Sequence, residues 1–206
     1  MHAAQAVIDT VVFDLGGVLV DWNPRHLYRE LIPDEELRER FLAEICPQSW
    51  NERQDAGRSV AEATAERIAL FPQHADLIAA YYGRWEEMLA GAIEDTVVLL
   101  EELAGRGVPL YALTNWSAEL FPVAWRRFGF LRHFRGIVVS GEERLIKPDA
   151  AIFRRLCDQH GLTPQSCLFI DDNPANVEAA AALGFATHRF TEASALRARL
   201  TELGFV

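Results

Sequence analysis

Apolar residues along the chain gather into short dense runs separated by longer stretches in which they recur at helical spacing. Val7 to Phe13 is nearly unbroken in hydrophobicity and rich in β-branched side chains, the pattern of a central strand in a parallel sheet covered on both faces. Val108-Pro109-Leu110-Tyr111-Ala112-Leu113, Ile137-Val138-Val139-Ser140 and Cys167-Leu168-Phe169-Ile170 read the same way, and Ala186 to Phe190 predicts a short last strand. Between them the spacing predicts helices near 95–106, 118–128, 149–160 and 174–183. Thr163-Pro164-Gln165-Ser166 marks a turn, and Gly184 stops the helix before it. Regular alternation of strand and helix predicts an α/β fold built on a doubly wound parallel sheet.

One interval breaks the alternation. From the end of the first run to Val108, almost every stretch reads as helix: Leu37, Phe41, Leu42 and Ile45 after Pro33-Asp34, then Ile78, Tyr81, Tyr82, Trp85, Met88 and Leu89. The aromatic stripe through Tyr81 and Trp85 fits the core of a helical bundle.

The strand ends carry the polar residues. The first run delivers Asp14 followed by Leu15-Gly16-Gly17; the second ends in Thr114-Asn115; the third is followed by Lys147-Pro148-Asp149 opening a helix; the fourth ends in Asp171-Asp172-Asn173-Pro174. In open α/β sheets the carboxyl ends of the strands face the ligand crevice, so a carboxylate there is placed for chemistry. A lone Asp-x-Gly turn after a strand is common. A carboxylate, hydroxyl and amide donors, a cation and two further acids in sequence at successive strand ends are not.

Asp14, Thr114-Asn115, Lys147-Pro148 and Asp171-Asp172-Asn173 in this order resemble the four motifs of the haloacid-dehalogenase-like (HAD) hydrolase superfamily, and the resemblance spans nearly the whole chain. Within it, Asp-Leu-Gly in the first motif and Asp-Asp-Asn in the last resemble the small phosphatases of the glucose-1-phosphate phosphatase type. The resemblance implies a Rossmann-like core over residues 1–19 and 93–206, with an inserted α-helical cap over residues 20–92. It implies a Mg²⁺-dependent phosphomonoesterase acting on a small phosphorylated metabolite such as a sugar phosphate. Asp14 would be the nucleophile, attacking phosphorus to form an aspartyl-phosphate that water then hydrolyses. Two anions meet in that step, and a hard divalent cation on oxygen ligands relieves their repulsion. The ligands assigned by resemblance are Asp14, the Gly16 carbonyl and Asp171, with Asp172 either a further ligand through water or an orienting group. Asp172 and Asn173 fit equally well as caps of the helix that begins at Pro174. Thr114 and Asn115 would donate to phosphoryl oxygens, or cap the next helix, or both. Lys147 would neutralise the nucleophile and the transferring group. In the cap, Trp50 to Ser59 resembles a loop that reaches over the active site, where Arg53 meets phosphate or a sugar hydroxyl and Trp50 supplies an apolar wall; an exposed helix-to-helix turn accounts for the same residues.

The chain departs from the family pattern at one position. Most phosphatases of the superfamily carry a second aspartate two residues after the nucleophile, and here that residue is Gly16. General acid-base help is typically worth about 10²- to 10⁴-fold. Asp21, Glu52 and Asp55 are candidates to replace it. A 2-haloacid dehalogenase, the main rival, typically has threonine four residues after the nucleophile and serine in place of the first acid of the last motif. Val18 and Asp171 stand there, which favours phosphate chemistry. A non-catalytic binding module with the same fold is the remaining alternative, and retention of Asp14, Lys147 and Asp171 together speaks against it.

Composition narrows the partners. At 206 residues and 50% hydrophobic residues the chain can bury a substantial core. A net charge of -10 argues against nucleic acid or an anionic membrane as partner, so the expected partner is a small phosphorylated molecule, with the protein a monomer or homodimer. Cys46, Cys157 and Cys167 form no C-x-x-C pair and suit a reducing compartment. The six histidines show no zinc-binding spacing. With no membrane-length apolar segment, basic leader or cleavage site, a cytoplasmic location is the expectation.

Overall fold

The computed structural model describes residues 7–206; residues 1–6, where the absence of a leader and the start of the core were expected, lie outside the described residues. Seven strands run β1 Thr10–Phe13, β2 Val20–Trp22, β3 Leu89–Ala92, β4 Leu110–Thr114, β5 Gly136–Val139, β6 Cys167–Asp171 and β7 Ala186–Arg189. Five of them form one parallel sheet in the order β5-β4-β1-β6-β7, with the first strand at its centre. The helices are α1 Pro24–Leu31, α2 Glu35–Arg40, α3 Gln48–Asp55, α4 Val60–Leu70, α5 Ala75–Gly83, α6 Glu94–Gly105, α7 Phe121–Arg127, α8 Ser140–Glu143, α9 Ala150–His160, α10 Pro174–Ala182 and α11 Ala193–Glu202.

The two sides of β1 explain why its sequence is apolar throughout. Val11 and Phe13 point into a cluster with Leu99, Leu100 and Leu103 of α6 and Leu196 and Leu200 of α11. Val12 points the other way, into a cluster with Ile152, Phe153 and Leu156 of α9 and Ala180 of α10. Alternate residues of a strand face opposite sides, so a strand covered on both needs apolar residues at every position. The strand itself starts at Thr10, later than the apolar run, because its neighbours begin at Leu110 and Cys167, with Thr10 opposite Cys167 and Val11 opposite Leu110. Val7 lies outside the ladder and is 78% exposed.

The helical insertion lies between β2 and β3, which pair with each other antiparallel as a separate ribbon. The helical spacing read from Ile78 through Leu89 is interrupted. α5 ends at Gly83, a 3₁₀ turn covers Trp85–Met88, and Leu89 begins β3. Here backbone pairing overrides side-chain periodicity: the Asn23 N–H donates to the Met88 carbonyl at 2.9 Å, and Leu89 is registered against Trp22. Tyr81 is core, meeting Trp50 and Tyr82 edge to face and Tyr28 at a tilt. The strand ends collect Asp14, Thr114, Ser140 and Asp171 along one edge of the sheet. Among the described residues, no helix is long and apolar enough to cross a membrane.

Candidate active site

Asp14 follows the last residue of β1, with its N–H donating to the Ile170 carbonyl at 2.8 Å. Immediately beyond it, the Leu19 and Val20 N–H groups both return to the Leu15 carbonyl at 2.8 Å, and Gly17 donates to the Val20 carbonyl at 2.9 Å. This tight loop folds Gly16 and Gly17 against the edge of a pocket of about 560 Å³. Gly17 has a φ of 73°, and a Cβ there would stand 2.5 Å from Asp172 Oδ2. Only glycine both adopts that conformation without strain and leaves the room for the carboxylate to approach.

The carboxylates converge on Lys147. Its Nζ lies 3.0 Å from Asp14 Oδ1 and 2.7 Å from Asp171 Oδ2, and donates to the Leu113 carbonyl at 2.8 Å. An ammonium has three protons, so this arrangement uses all of them. The side chain is completely buried. Burial works to lower the Lys147 pKa, but Asp14 and Asp171 outweigh it and the net shift is upward, keeping the cation charged. Asp14 moves the other way: burial pushes its carboxyl up to about 8, Lys147 opposes, and Asp171 and Asp172 add to the rise. The site therefore holds more negative charge than Lys147 alone neutralises.

One oxygen from each of Asp14, Asp171 and Asp172 lies within 4.8 Å of the others, the spacing of a cation site. The two acids of the last motif differ in their commitments. Asp171 Oδ1 accepts from the Asn173 N–H at 2.8 Å and Asn176 Nδ2 at 3.0 Å, and Oδ2 accepts from Lys147 and again from Asn176. Asp172 opens into the pocket beside Gly17, where burial followed by the charge of Asp171 raises its pKa. The all-oxygen set of Asp14, Asp171 and Asp172 suits a hard divalent cation; within it Asp171 already accepts hydrogen bonds on both oxygens, whereas Asp172 lines the pocket. Asn173 caps α10, its Oδ1 accepting from the Ala175 N–H at 2.9 Å.

Several expected contacts turn out differently. Asn115 Oδ1 accepts from the Lys147 N–H at 2.9 Å and its Nδ2 donates one N–H to the Lys147 carbonyl at 3.0 Å, so the amide braces the lysine backbone while its second N–H is not used in that pairing and the residue lines the pocket. Thr114 is buried at the end of β4, and the pocket wall there is formed by Asn115 and Trp116. Arg53 is exposed and is not among the residues lining the pocket: α3 turns Gln48, Asn51, Glu52 and Asp55 inward, and Arg53 falls off that face. Trp50 packs inside the insertion against Tyr81 and Tyr82, with ring centroids 5.2 and 5.1 Å away. The apolar wall comes instead from Trp22, Trp85 and Trp116, the last two meeting edge to face at 5.4 Å. Asp21 pairs with His26 at 3.0 Å on β2 and is not among the lining residues. Asn176 has no place among the four motifs; its signal was a lone amide in the alanine-rich helix that opens at Pro174.

The family described as haloacid dehalogenase-like hydrolase matches residues 8–184. The chain belongs to that family. It is 28% identical over 193 residues to a sesquiterpene phosphatase of Aspergillus oryzae, covering 93% of this chain and 94% of that one. Among solved structures it resembles a predicted HAD-like hydrolase from Porphyromonas gingivalis, with a TM-score of 0.72 at 23% identity over 95% of this chain and 98% of the other. It also resembles a HAD-family enzyme from Bacteroides thetaiotaomicron solved with magnesium and inorganic phosphate, with a TM-score of 0.69 at 21% identity over 89% and 94% of the two chains. The protein is a HAD-family hydrolase, and its four motif segments are the ones that build the pocket edge.

Proposed function

We propose that this hydrolase is a Mg²⁺-dependent phosphomonoesterase acting through an aspartyl-phosphate on Asp14. The observation that carries the reading is the pairing of Asp14 with a fully buried Lys147, beside a second acid, Asp172, that opens to the same pocket. Bound among Asp14, Asp171, Asp172 and the Gly16 carbonyl, Mg²⁺ would supply charge neutralisation for an incoming phosphoryl group. Lys147 holds Asp14 Oδ1 in place, so the carboxylate is oriented before substrate arrives. The Leu15 N–H donates to the same oxygen at 2.7 Å, which fixes the plane of the carboxylate. Asn115 fixes the lysine main chain, and Asn176 fixes Asp171. The insertion over residues 20–92 acts as a cap over the α/β core, of which residues 7–19 and 93–206 are described, with α3 supplying the face that meets the substrate.

The substrate is a small phosphorylated molecule. The lining combines three indoles with the polar residues Gln48, Asn51, Glu52 and Asp55, which suits a leaving group carrying both apolar surface and hydroxyl groups. A sugar phosphate fits the resemblance to the glucose-1-phosphate phosphatase type, and a phosphorylated terpenoid alcohol fits the likeness to the Aspergillus oryzae enzyme. The dehalogenase reading is disfavoured by Asp171, a second carboxylate that shares the single Lys147 cation with Asp14 and so leaves a metal-free site with negative charge that lysine alone does not offset. The test is a panel of aryl, sugar and prenyl phosphates with and without Mg²⁺, comparing wild type with Asp14→Asn. Metal-dependent phosphate release that disappears in the variant is the expected result. No release from any ester, with chloride released from a 2-haloacid, overturns the reading.

A further inference from the structure

Displacing an alcohol from phosphorus requires a proton for the departing oxygen, and Gly16 has no side chain to provide it. The titratable residues lining the pocket are Asp14, Glu52, Asp55, Lys147 and Asp172. Asp14 and Asp172 belong to the nucleophile and cation cluster, and every N–H of the Lys147 ammonium is directed at Asp14, Asp171 or Leu113. Glu52 is exposed to solvent. Asp55 remains, and it is 8% exposed.

Asp55 is held as a positioned group. A chain of buried hydrogen bonds reaches it through the insertion: Gln54 Nε2 donates to the Tyr82 hydroxyl at 2.7 Å, that hydroxyl donates to Asn51 Oδ1 at 3.0 Å, and Asn51 Nδ2 donates to Asp55 Oδ2 at 2.9 Å. The chain fixes the Asn51 amide with its N–H toward Oδ2 of Asp55. From the core, the Ser140 hydroxyl donates to the Asp55 carbonyl at 2.5 Å and accepts from the Trp116 N–H at 2.9 Å. Gly57, at a φ of 93°, brings the same segment against the Gly141 carbonyl, where a Cβ would stand 2.9 Å away. The end of α3 is thus tied to the loop that follows Thr114-Asn115.

We propose that Asp55 is the acid-base residue of this site, taking the place of the side chain absent at Gly16. The assignment rests on the phosphatase reading. In the first step an Asp14 oxygen bonds to phosphorus and the bond from phosphorus to the leaving oxygen breaks. The electron pair stays on that oxygen, the Asp55 proton moves to it, and the alcohol departs. In the second, water attacks the phosphorus of the aspartyl-phosphate and gives its proton to the Asp55 carboxylate. The bond to Asp14 breaks with its electron pair returning to that carboxylate, and inorganic phosphate leaves.

Burial pushes the Asp55 carboxyl up to about 7; the charge of Glu52 adds to the rise and the Ser117 backbone N–H opposes it. The titratable groups that face it are Glu52 from its own helix and Tyr81 and Tyr82 from α5, with Arg144 packed against Gly57 nearby. A carboxyl poised there can give a proton in one step and accept one in the next at neutral pH.

The test compares an alkyl phosphate, whose leaving group needs protonation, with nitrophenyl phosphate, whose leaving group does not. Asp55→Asn is expected to lower kcat/KM, which reports the first step, on the alkyl ester by about 10²-fold or more and to affect kcat/KM on the nitrophenyl ester far less; the second step is shared, so kcat falls on both. Wild-type kcat/KM on the alkyl ester should fall as pH rises through about 7, and that limb should vanish in the variant. Equal losses of kcat/KM on both esters, or an unchanged pH limb, overturn the assignment. Tyr82→Phe, which loosens Asn51 and keeps the ring, provides the same selectivity readout if Asp55→Asn fails to fold; equal losses there count against Asp55 as well. Wild type hydrolysing neither ester overturns the phosphatase reading itself.

Discussion

Asn115 holds the main chain of Lys147 from both sides, accepting from its N–H at 2.9 Å and donating to its carbonyl at 3.0 Å. The two residues are far apart in sequence and belong to different strand ends, so this amide sets the height at which the ammonium meets Asp14. Asn115→Ala should lower kcat by about 10- to 100-fold, as loss of a group supporting a catalytic residue typically does. It should also cost about 1–3 kcal/mol, since it strands two buried polar groups. Asn115→Asp keeps the acceptor and loses the donor, and should fall between. Steady-state kinetics with urea unfolding checks both; wild-type kcat in Asn115→Ala would place the control of Lys147 elsewhere.

Lys147 itself neutralises two buried carboxylates. Lys147→Met leaves Asp14 and Asp171 uncompensated, a loss of about 3–5 kcal/mol. The loss has a predictable pH dependence. A carboxyl whose folded pKa lies above its unfolded value binds more protons when folded, so its contribution is present at low pH and disappears as pH rises through the folded pKa. Asp14 already sits at about 8 with the lysine present. Without it Asp14 rises further, and the deficit of the variant should be larger at pH ~9 than at pH ~5. Equal deficits at the two pH values would mean that packing, not charge, is what Lys147 contributes.

Gly17 and Gly16 respond differently to substitution. A Cβ on Gly17 meets Asp172 Oδ2 at 2.5 Å on a left-handed backbone, whereas a Cβ on Gly16 meets nothing within 4 Å. Gly17→Ala should abolish the rise in Tm produced by Mg²⁺, and Gly16→Ala should retain it. Thermal melts with and without Mg²⁺ decide; a full metal shift in Gly17→Ala would remove Asp172 from the proposed ligand set.

The open space at Gly16 permits a second experiment. Gly16→Asp restores the acid at the position where most family phosphatases carry it, and its Cβ enters open space. Placed in the Asp55→Asn background, it should recover at least tenfold of the lost turnover on an alkyl phosphate. A double variant that binds Mg²⁺ yet shows no recovery would mean that the missing function at Asp55 is not proton transfer.

Asp55 also predicts a stability profile. Its folded pKa of about 7 lies above the ordinary carboxylate value of 3.8. Wild type should therefore lose stability as pH rises from ~4 toward ~7, where the unfolded chain sheds the proton first. Asp55→Asn cannot titrate there, so its Tm relative to wild type should improve between pH ~5 and pH ~8. A constant difference across that range contradicts a buried, neutral Asp55.

The frame of this site was legible because strands covered on both faces must be apolar, and their polar ends then stand out: Asp14, Thr114-Asn115 and Asp171 were each found as the break after an apolar run, and Lys147 after the short polar loop that follows the third run. Periodicity was a poorer guide where backbone pairing took over, as at Trp85 to Leu89. It also passed over α11, although Leu196 and Leu200 carry the spacing of a buried helix face. The division of labour between Asp171 and Asp172 was not readable, because adjacent acids look alike until Lys147 and Asn176 are seen to occupy one of them. Arg53 and Asp55 sit two residues apart on α3, and only the orientation of that helix sends one outward and the other into the pocket.

The central claim is that Asp14 becomes covalently phosphorylated. Rapid acid quenching during turnover of a radiolabelled phosphate ester with Mg²⁺ should leave label on the peptide that contains Asp14, and Asp14→Asn should carry none and turn over no substrate. Turnover accompanied by label on another residue, or equal labelling of Asp14→Asn, would contradict the account.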